Sequence, residues 1–302
     1  MKLISVLVIL GVIMNLAAKD LKVLMIGNSF SICVGRNLPQ LVAHEKKHNL
    51  ELTSVYIGGC VLARHSANLR KAEADPSFKP YTINTWTSRN LRKKTKFKGN
   101  VNELLKNNKY DIITIQQGSA ESWDYKFYQP YADELIAYIK KYNPQAEIVI
   151  QQTWAYRADA PRLKNWNFSQ AQMHEKVAAA YSEFAKRTKL RLIPTGNAVM
   201  IARRNPIYQY KVLSQKELAK FVSPDVPSPE HDVVGKHYWR KSKKGMQLIA
   251  DAIHLNEHGE YLQACVWYSF LFGEDAEKIT YEPRLAAENC KILRHSAAEA
   301  MK

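Results

Sequence analysis

The sequence predicts an α/β fold: three layers, with about five parallel strands in one sheet between helices. Two observations lead there. Short apolar runs closed by turn residues alternate with helical patterns five times between Lys22 and Ile193. Polar residues also collect where those runs end, at Ser29, Gly58-Gly59, Gln116-Gln117 and Gln152. In an open parallel sheet such ends border the crevice that binds ligands. A chain of 302 residues is comfortable for a single α/β domain, expected over residues 19–302 with insertions near 62–99 and 205–244.

The first strand is read from Lys22 to Phe30, KVLMIGNSF, an apolar run stopped by Gly27-Asn28 with Ser29 on the turn. Asn37 can cap a helix with Pro39 in its first turn and an apolar face of Leu38, Leu41 and Val42. Glu51 to Ile57 alternates, is rich in β-branched and aromatic residues, and ends in Gly58-Gly59, so it reads as a second strand. Between Leu62 and Gly99 the period is lost among basic residues, Pro76, Pro80 and Trp86, and a long loop is expected. A short helix over residues 101–108 leads to Tyr110–Gln117, YDIITIQQ, the clearest buried strand, closed by Gly118-Ser119. A helix over 128–142, a strand over 146–152, a helix capped by Ser169 and a strand at Leu190–Ile193 continue the pattern. Residues 205–244 are irregular, with Pro224, Pro227 and Pro229. Glu257 to Phe272 is a strongly apolar helix, and Pro283–Lys302 reads as an amphipathic tail.

Residues 1–18, MKLISVLVILGVIMNLAA, have the form of a secretory signal peptide: a lysine, an apolar run to Met14, and Ala17-Ala18. A periplasmic or secreted protein with no later membrane span is expected. Cys33, Cys60, Cys265 and Cys290 have no CxxC spacing, His231, His237 and His258 lack a ligand pattern, and no metal or cofactor is expected. The formal charge of +16 attracts polyanions, and it is concentrated in Arg89–Lys98 and Lys236–Lys244. No nucleic-acid-binding motif surrounds either stretch, so a nucleic-acid partner is not expected.

A lone serine after a strand is more often a helix cap than a nucleophile. The odds change with Asp251-Ala252-Ile253-His254, which supplies a base and a carboxylate to orient it three residues apart, as if from one short loop. The chain thereby resembles the SGNH (GDSL-like) hydrolases, within a mostly bacterial branch with GNSF at the serine. The resemblance rests on Gly27-Asn28-Ser29-Phe30, Gly58-Gly59, Gln116-Gln117-Gly118-Ser119 and Asp251–Asn256, and spans roughly residues 22–272.

The resemblance implies a flavodoxin-like sheet, with Ser29 as nucleophile, His254 as general base and Asp251 as its orienting carboxylate. It also implies an oxyanion hole made by the Ser29 amide, a glycine-block amide, Gly59 in preference to Gly58, and a side-chain amide. Aligning Gly118 with the family's third-block glycine puts Ala120 where the family has asparagine, so Gln117 is the nearest replacement. Loss of one such donor costs about 2.7–4 kcal/mol of transition-state stabilisation. Asn28 replaces a family aspartate outside the triad, and Leu255 a frequent proline.

The expected activity is a serine esterase releasing acyl groups, acetyl foremost, from carbohydrate. Trp86, Trp154 and Trp166 are the candidate substrate rim, and the basic stretches suggest an anionic glycan. The competing expectation is a non-catalytic glycan-binding or cell-surface protein on the same scaffold, favoured by the missing block-three asparagine.

Overall fold

The computed structural model describes residues 17–228, 231–243 and 245–302. The signal peptide expected over 1–18 lies outside them apart from Ala17 and Ala18. No helix among the described residues is long and apolar enough to cross a membrane.

β1 (Asp20–Gly27) leads into a single turn, α1 (Ser29–Ile32), then α2 (Val34–Glu45) and β2 (Asn49–Tyr56). Next come α3 (Leu62–Ala74), β3 (Tyr81–Thr87), β4 (Thr95–Gly99) and α4 (Val101–Asn107). The alternation continues through β5 (Ile112–Ile115), α5 (Tyr131–Tyr142), β6 (Glu147–Gln151) and α6 (Pro161–Trp166). It closes with α7 (Gln170–Thr188), β7 (Arg191–Ile193) and α8 (Thr195–Ala202). The short α9 (Gln215–Leu218) precedes a hairpin of β8 (Val234–Ser242) and β9 (Gly245–Leu255), followed by α10 (Glu257–Phe272) and α11 (Ala287–Ala300).

The main sheet has seven strands in the order β4-β3-β2-β1-β5-β6-β7. The five from β2 to β7 are parallel, as the sequence predicts. β3 and β4 extend the β2 edge in antiparallel fashion. From β1 the chain moves one way to β2 and later the other way through β5, β6 and β7. Right-handed crossovers therefore put α2 on one face and α5 and α7 on the other. The reversal beside β1 opens a crevice at the carboxyl ends of β1 and β5, and Ser29 stands on its floor.

β5 is buried throughout and β1 is buried from Val23 to Gly27, which is why both read as continuous apolar runs. α10 is buried all round from His258 to Phe272 and packs against α2, α8 and α11. Its start is fixed by Asn256, whose side chain accepts the His258 and Gly259 amides. Ser169 and Gln172 form a reciprocal capping box at α7.

Some expectations are corrected. Residues 62–99 are not a loop: they hold α3 and the β3–β4 hairpin. Buried His65, Ser66 and Asn68 interrupt the apolar period of α3, and β4 is exposed except at Gly99. Within 205–244 lie α9 and β8. α2 begins at Val34, ahead of Asn37, with Pro39 inside it. All four cysteines are free and buried. The basic stretch Arg89–Lys98 forms the tip and second strand of the β3–β4 hairpin. Thr87 pairs with Glu51 early in β2, so that tip is at the end of the sheet opposite the crevice.

A Cβ on Gly259 would stand 2.1 Å from the Val233 carbonyl oxygen, where α10 is pressed against the entry to β8. Gly259→Ala should therefore lower unfolding free energy by about 1–3 kcal/mol in urea titrations, through overpacking against backbone.

Candidate active site

Ser29 is held by a mesh of buried amides. The Asn28 side chain donates to the Cys60 carbonyl (2.9 Å), at the end of β2, and accepts the Phe30 amide (3.0 Å). Its oxygen also accepts Gln116 Nε2 (2.7 Å), at the end of β5. One side chain thus ties three strand ends together. It must donate and accept at once, which an amide does and an ionised carboxylate does not. Gly27 is required by the same crowding, since a Cβ there would lie 2.4 Å from Ser31 Oγ. The Phe30 carbonyl accepts Gln151 Nε2 (2.8 Å) and Gln263 Nε2 (3.1 Å), fixing the turn from below.

His254 arrives from β9. His254 Nε2 is 2.8 Å from Ser29 Oγ, and His254 Nδ1 is 2.8 Å from Asp251 Oδ2. A carboxylate only accepts, so Nδ1 carries the proton and Nε2 faces the serine hydroxyl as acceptor. Asp251 Oδ1 accepts the amides of Ile253 (3.0 Å) and His254 (3.1 Å). Burial raises the Asp251 pKa, but its bonds to His254 and to these amides outweigh that and hold it well below the ordinary carboxylate value. Asp251 and His254 belong to a strand, not to the short loop expected. Trp154 braces that strand: its indole N–H donates to the Ile253 carbonyl (2.9 Å), and its ring stacks on Phe30 with centroids 4.0 Å apart. The Arg157 amide donates to the Ala252 carbonyl (2.9 Å).

The backbone N–H groups of Ser29 and Gly59 have no hydrogen-bond partner among the described residues. Gly59 has φ +60°, and a Cβ added to it would meet nothing within 4 Å, so its backbone borders open space. Gln117 is not a third donor. Its Oε1 accepts the Leu62 (2.9 Å) and Gly118 (2.8 Å) amides and its Nε2 donates to the Phe127 carbonyl (2.8 Å). With no exposed surface, it holds α3 to the Gly118 turn.

The tryptophans divide. Trp86 pairs with Leu52 early in β2 and packs against Gly35 of α2, far from the crevice, so it is not a rim residue. Trp154 is fully buried as the brace described above and offers no ring to a ligand. Trp166 is half-buried among Trp123, Tyr156 and Phe168. Tyr156 carries that cluster to the crevice through a 2.8 Å bond between its hydroxyl and Ser119 Oγ.

A family model described as "Domain of unknown function (DUF4886)" matches residues 22–215. The chain belongs to the DUF4886 family. A crystal structure of a DUF4886 family protein from Bacteroides uniformis is 25% identical, with a TM-score of 0.75 over 93% of this chain and 95% of that one. An acetyl xylan esterase, AlAXEase, is 13% identical with a TM-score of 0.45, covering 83% of this chain and 99% of that one. A member of the lipolytic G-D-S-L family from Veillonella parvula is 10% identical with a TM-score of 0.41, over 85% and 100%. No curated protein matches. At such distances the chemistry of this DUF4886 chain is read from its own residues.

Sequence reasoning missed the structural role of Asn28 and the buried ends of Gln116, Gln151 and Gln263. The visible signal was glutamine pairs at the ends of two apolar strands, where buried amides are tolerated only with partners.

On α10, Glu260 pairs with Arg36 of α2, joining the helix after Ser29 to the helix after His254. Burial pushes the Glu260 carboxyl up to about 7 from 4.5, because the Arg36 side chain is 60% exposed and its opposing pull is weakened by water. A raised acid binds its proton more tightly when folded, so its ionisation erodes stability as pH rises from about 4.5 to about 7. Glu260→Gln should remove that slope. The difference in thermal midpoint between parent and variant should shift against the parent across this window, and parallel curves would contradict the assignment.

Proposed function

We propose that the chain is a serine esterase of the SGNH type that hydrolyses small acyl esters, acetyl foremost, carried on carbohydrate. The observation that carries this reading is the unbroken relay from Ser29, on the floor of the crevice, through His254 to Asp251. Ser29 Oγ attacks the ester carbonyl carbon while His254 Nε2 takes the hydroxyl proton. The tetrahedral oxyanion lies between the Ser29 and Gly59 amides, whose N–H groups are otherwise unpartnered among the described residues. Collapse expels the sugar oxygen, which receives the proton from the imidazolium and leaves acyl-Ser29. Water then attacks the acyl carbon, giving its proton to His254. The second collapse releases the carboxylic acid and returns the proton to Ser29. Asp251, anionic far below neutral pH, fixes the Nδ1–H tautomer and stabilises the imidazolium in both halves.

The oxyanion hole in this reading rests on two backbone amides, without the side-chain amide of the family pattern. The carbohydrate assignment draws on the export-type amino terminus and on the aromatic cluster of Trp123, Trp166 and Phe168 that meets Ser119 through Tyr156. An ester of an alcohol also suits a relay whose histidine must protonate the leaving oxygen.

With 4-nitrophenyl acetate as substrate, Ser29→Ala should lower kcat by about 10⁴-fold or more. Asp251→Asn should lower it by about 10⁴-fold through the wrong tautomer, while both variants keep the parental circular dichroism. Parental turnover by Ser29→Ala would overturn the assignment.

A further inference from the structure

The β8–β9 ribbon carries Asp251, and its register shows what shares that face. Lys236 is paired with Asp251, Tyr238 with Ile249, and Arg240 with Gln247. Directly paired residues of antiparallel strands project to the same side. Lys236, Tyr238, Arg240 and Gln247 are all exposed. The opposite face is occupied: His237 is buried, Trp239 and Leu248 are half-buried, and the Trp239 indole donates to the Asp225 carbonyl (2.8 Å). One face of the ribbon is thus packed on the α9 segment, and the face that begins at the triad carboxylate is open.

That open face carries two cations outside any salt bridge, with the Glu260 carboxylate near enough to Lys236 to feel its charge. Lys236 and Arg240 have no ion-pair partner among the described residues. The acids closest to its base are engaged elsewhere: Asp251 with His254 and backbone amides, Glu260 with Arg36. Lys236 and Arg240 are four strand residues apart, roughly 13 Å, with the Tyr238 ring between them. Two cations bracketing an exposed aromatic ring, in a row that starts opposite Asp251, suit an extended polymer that presents negative charges beside sugar rings.

We propose that this face is the subsite for the polymer chain of the substrate, and that it selects acyl esters borne by an acidic polysaccharide, whose carboxylates meet Lys236 and Arg240 while a ring covers Tyr238. The proposal rests on the esterase reading of the triad. Nucleic acid and anionic membrane present similar charge, but neither carries a sugar ester to the serine at the ribbon's base.

Binding tests it apart from turnover. The Ser29→Ala chain would be titrated calorimetrically with polygalacturonate and with neutral xylan, at low and high salt. Polygalacturonate should bind at least tenfold more tightly than xylan, and weaken as salt screens the cations. Adding Lys236→Ala and Arg240→Ala should weaken polygalacturonate binding at least tenfold, and the charge-retaining pair Lys236→Arg and Arg240→Lys should restore it. Equal binding by the alanine variant, preference for xylan, or tighter binding of duplex DNA or phosphatidylserine vesicles through the same residues would overturn the proposal. If the Ser29 chain cleaves no ester while polygalacturonate binding still depends on Lys236 and Arg240, the esterase reading fails and the subsite stands. Ester cleavage without such binding gives the reverse.

Discussion

The 2.8 Å contact between Ser29 Oγ and His254 Nε2 joins residues 225 positions apart, and the rest of the structure is arranged around keeping it. The serine rides on the central strand β1, buried between helical layers. The histidine rides on the last strand of a separate hairpin. Neither element alone fixes the other's position, so the contact depends on what lies between them. Phe30 and Trp154 stack behind it, and Trp154 holds the Ile253 carbonyl. A second clasp, Glu260 with Arg36, joins the helices that follow each partner.

Beneath the serine the core is polar because the backbone requires it. A turn that leaves a strand sharply exposes carbonyls and amides with no ladder partner, and burying them unpaired would cost about 1–3 kcal/mol each. Asn28, Gln151 and Gln263 satisfy them from three separate segments, and Gln116 in turn holds the Asn28 side chain. The geometry of Ser29 is therefore shared across β1, β5, β6 and α10. Gln117 is buried beside them, and its bonds to Leu62, Gly118 and Phe127 turn it away from the crevice.

The strands that hold the site were legible because β1, β5 and β6 are buried on both faces, so their sequences are apolar without interruption. Ser29, Asp251 and His254 were legible as a set because a serine after such a strand and an Asp-x-x-His before a helix are unusual in combination, and the structure brings the three within hydrogen-bonding distance. Other features were hidden for physical reasons. α3 buries His65, Ser66 and Asn68, which break its apolar period, and β4 is an exposed, lysine-rich edge that looks like a loop. Position in sequence gives no direction to a side chain, so Gln117 looked available when its amide is fully buried and bonded to Leu62, Gly118 and Phe127. Trp86 and Trp154 looked like rim residues because they lie in polar or irregular stretches, yet large rings are drawn into the core. The ribbon's open cationic face emerges only from the β8–β9 register, since alternation puts Lys236, Tyr238 and Arg240 on one side and His237, Trp239 and Lys241 on the other.

The central claim is that Ser29 is an activated nucleophile. Treating the full chain with a fluorophosphonate and mapping the adduct by peptide mass spectrometry tests it most directly. One phosphonyl group per chain is expected, on Ser29, with the adduct abolished by His254→Ala. No adduct under these conditions, or one on another serine with Ser29 unmodified, would contradict it.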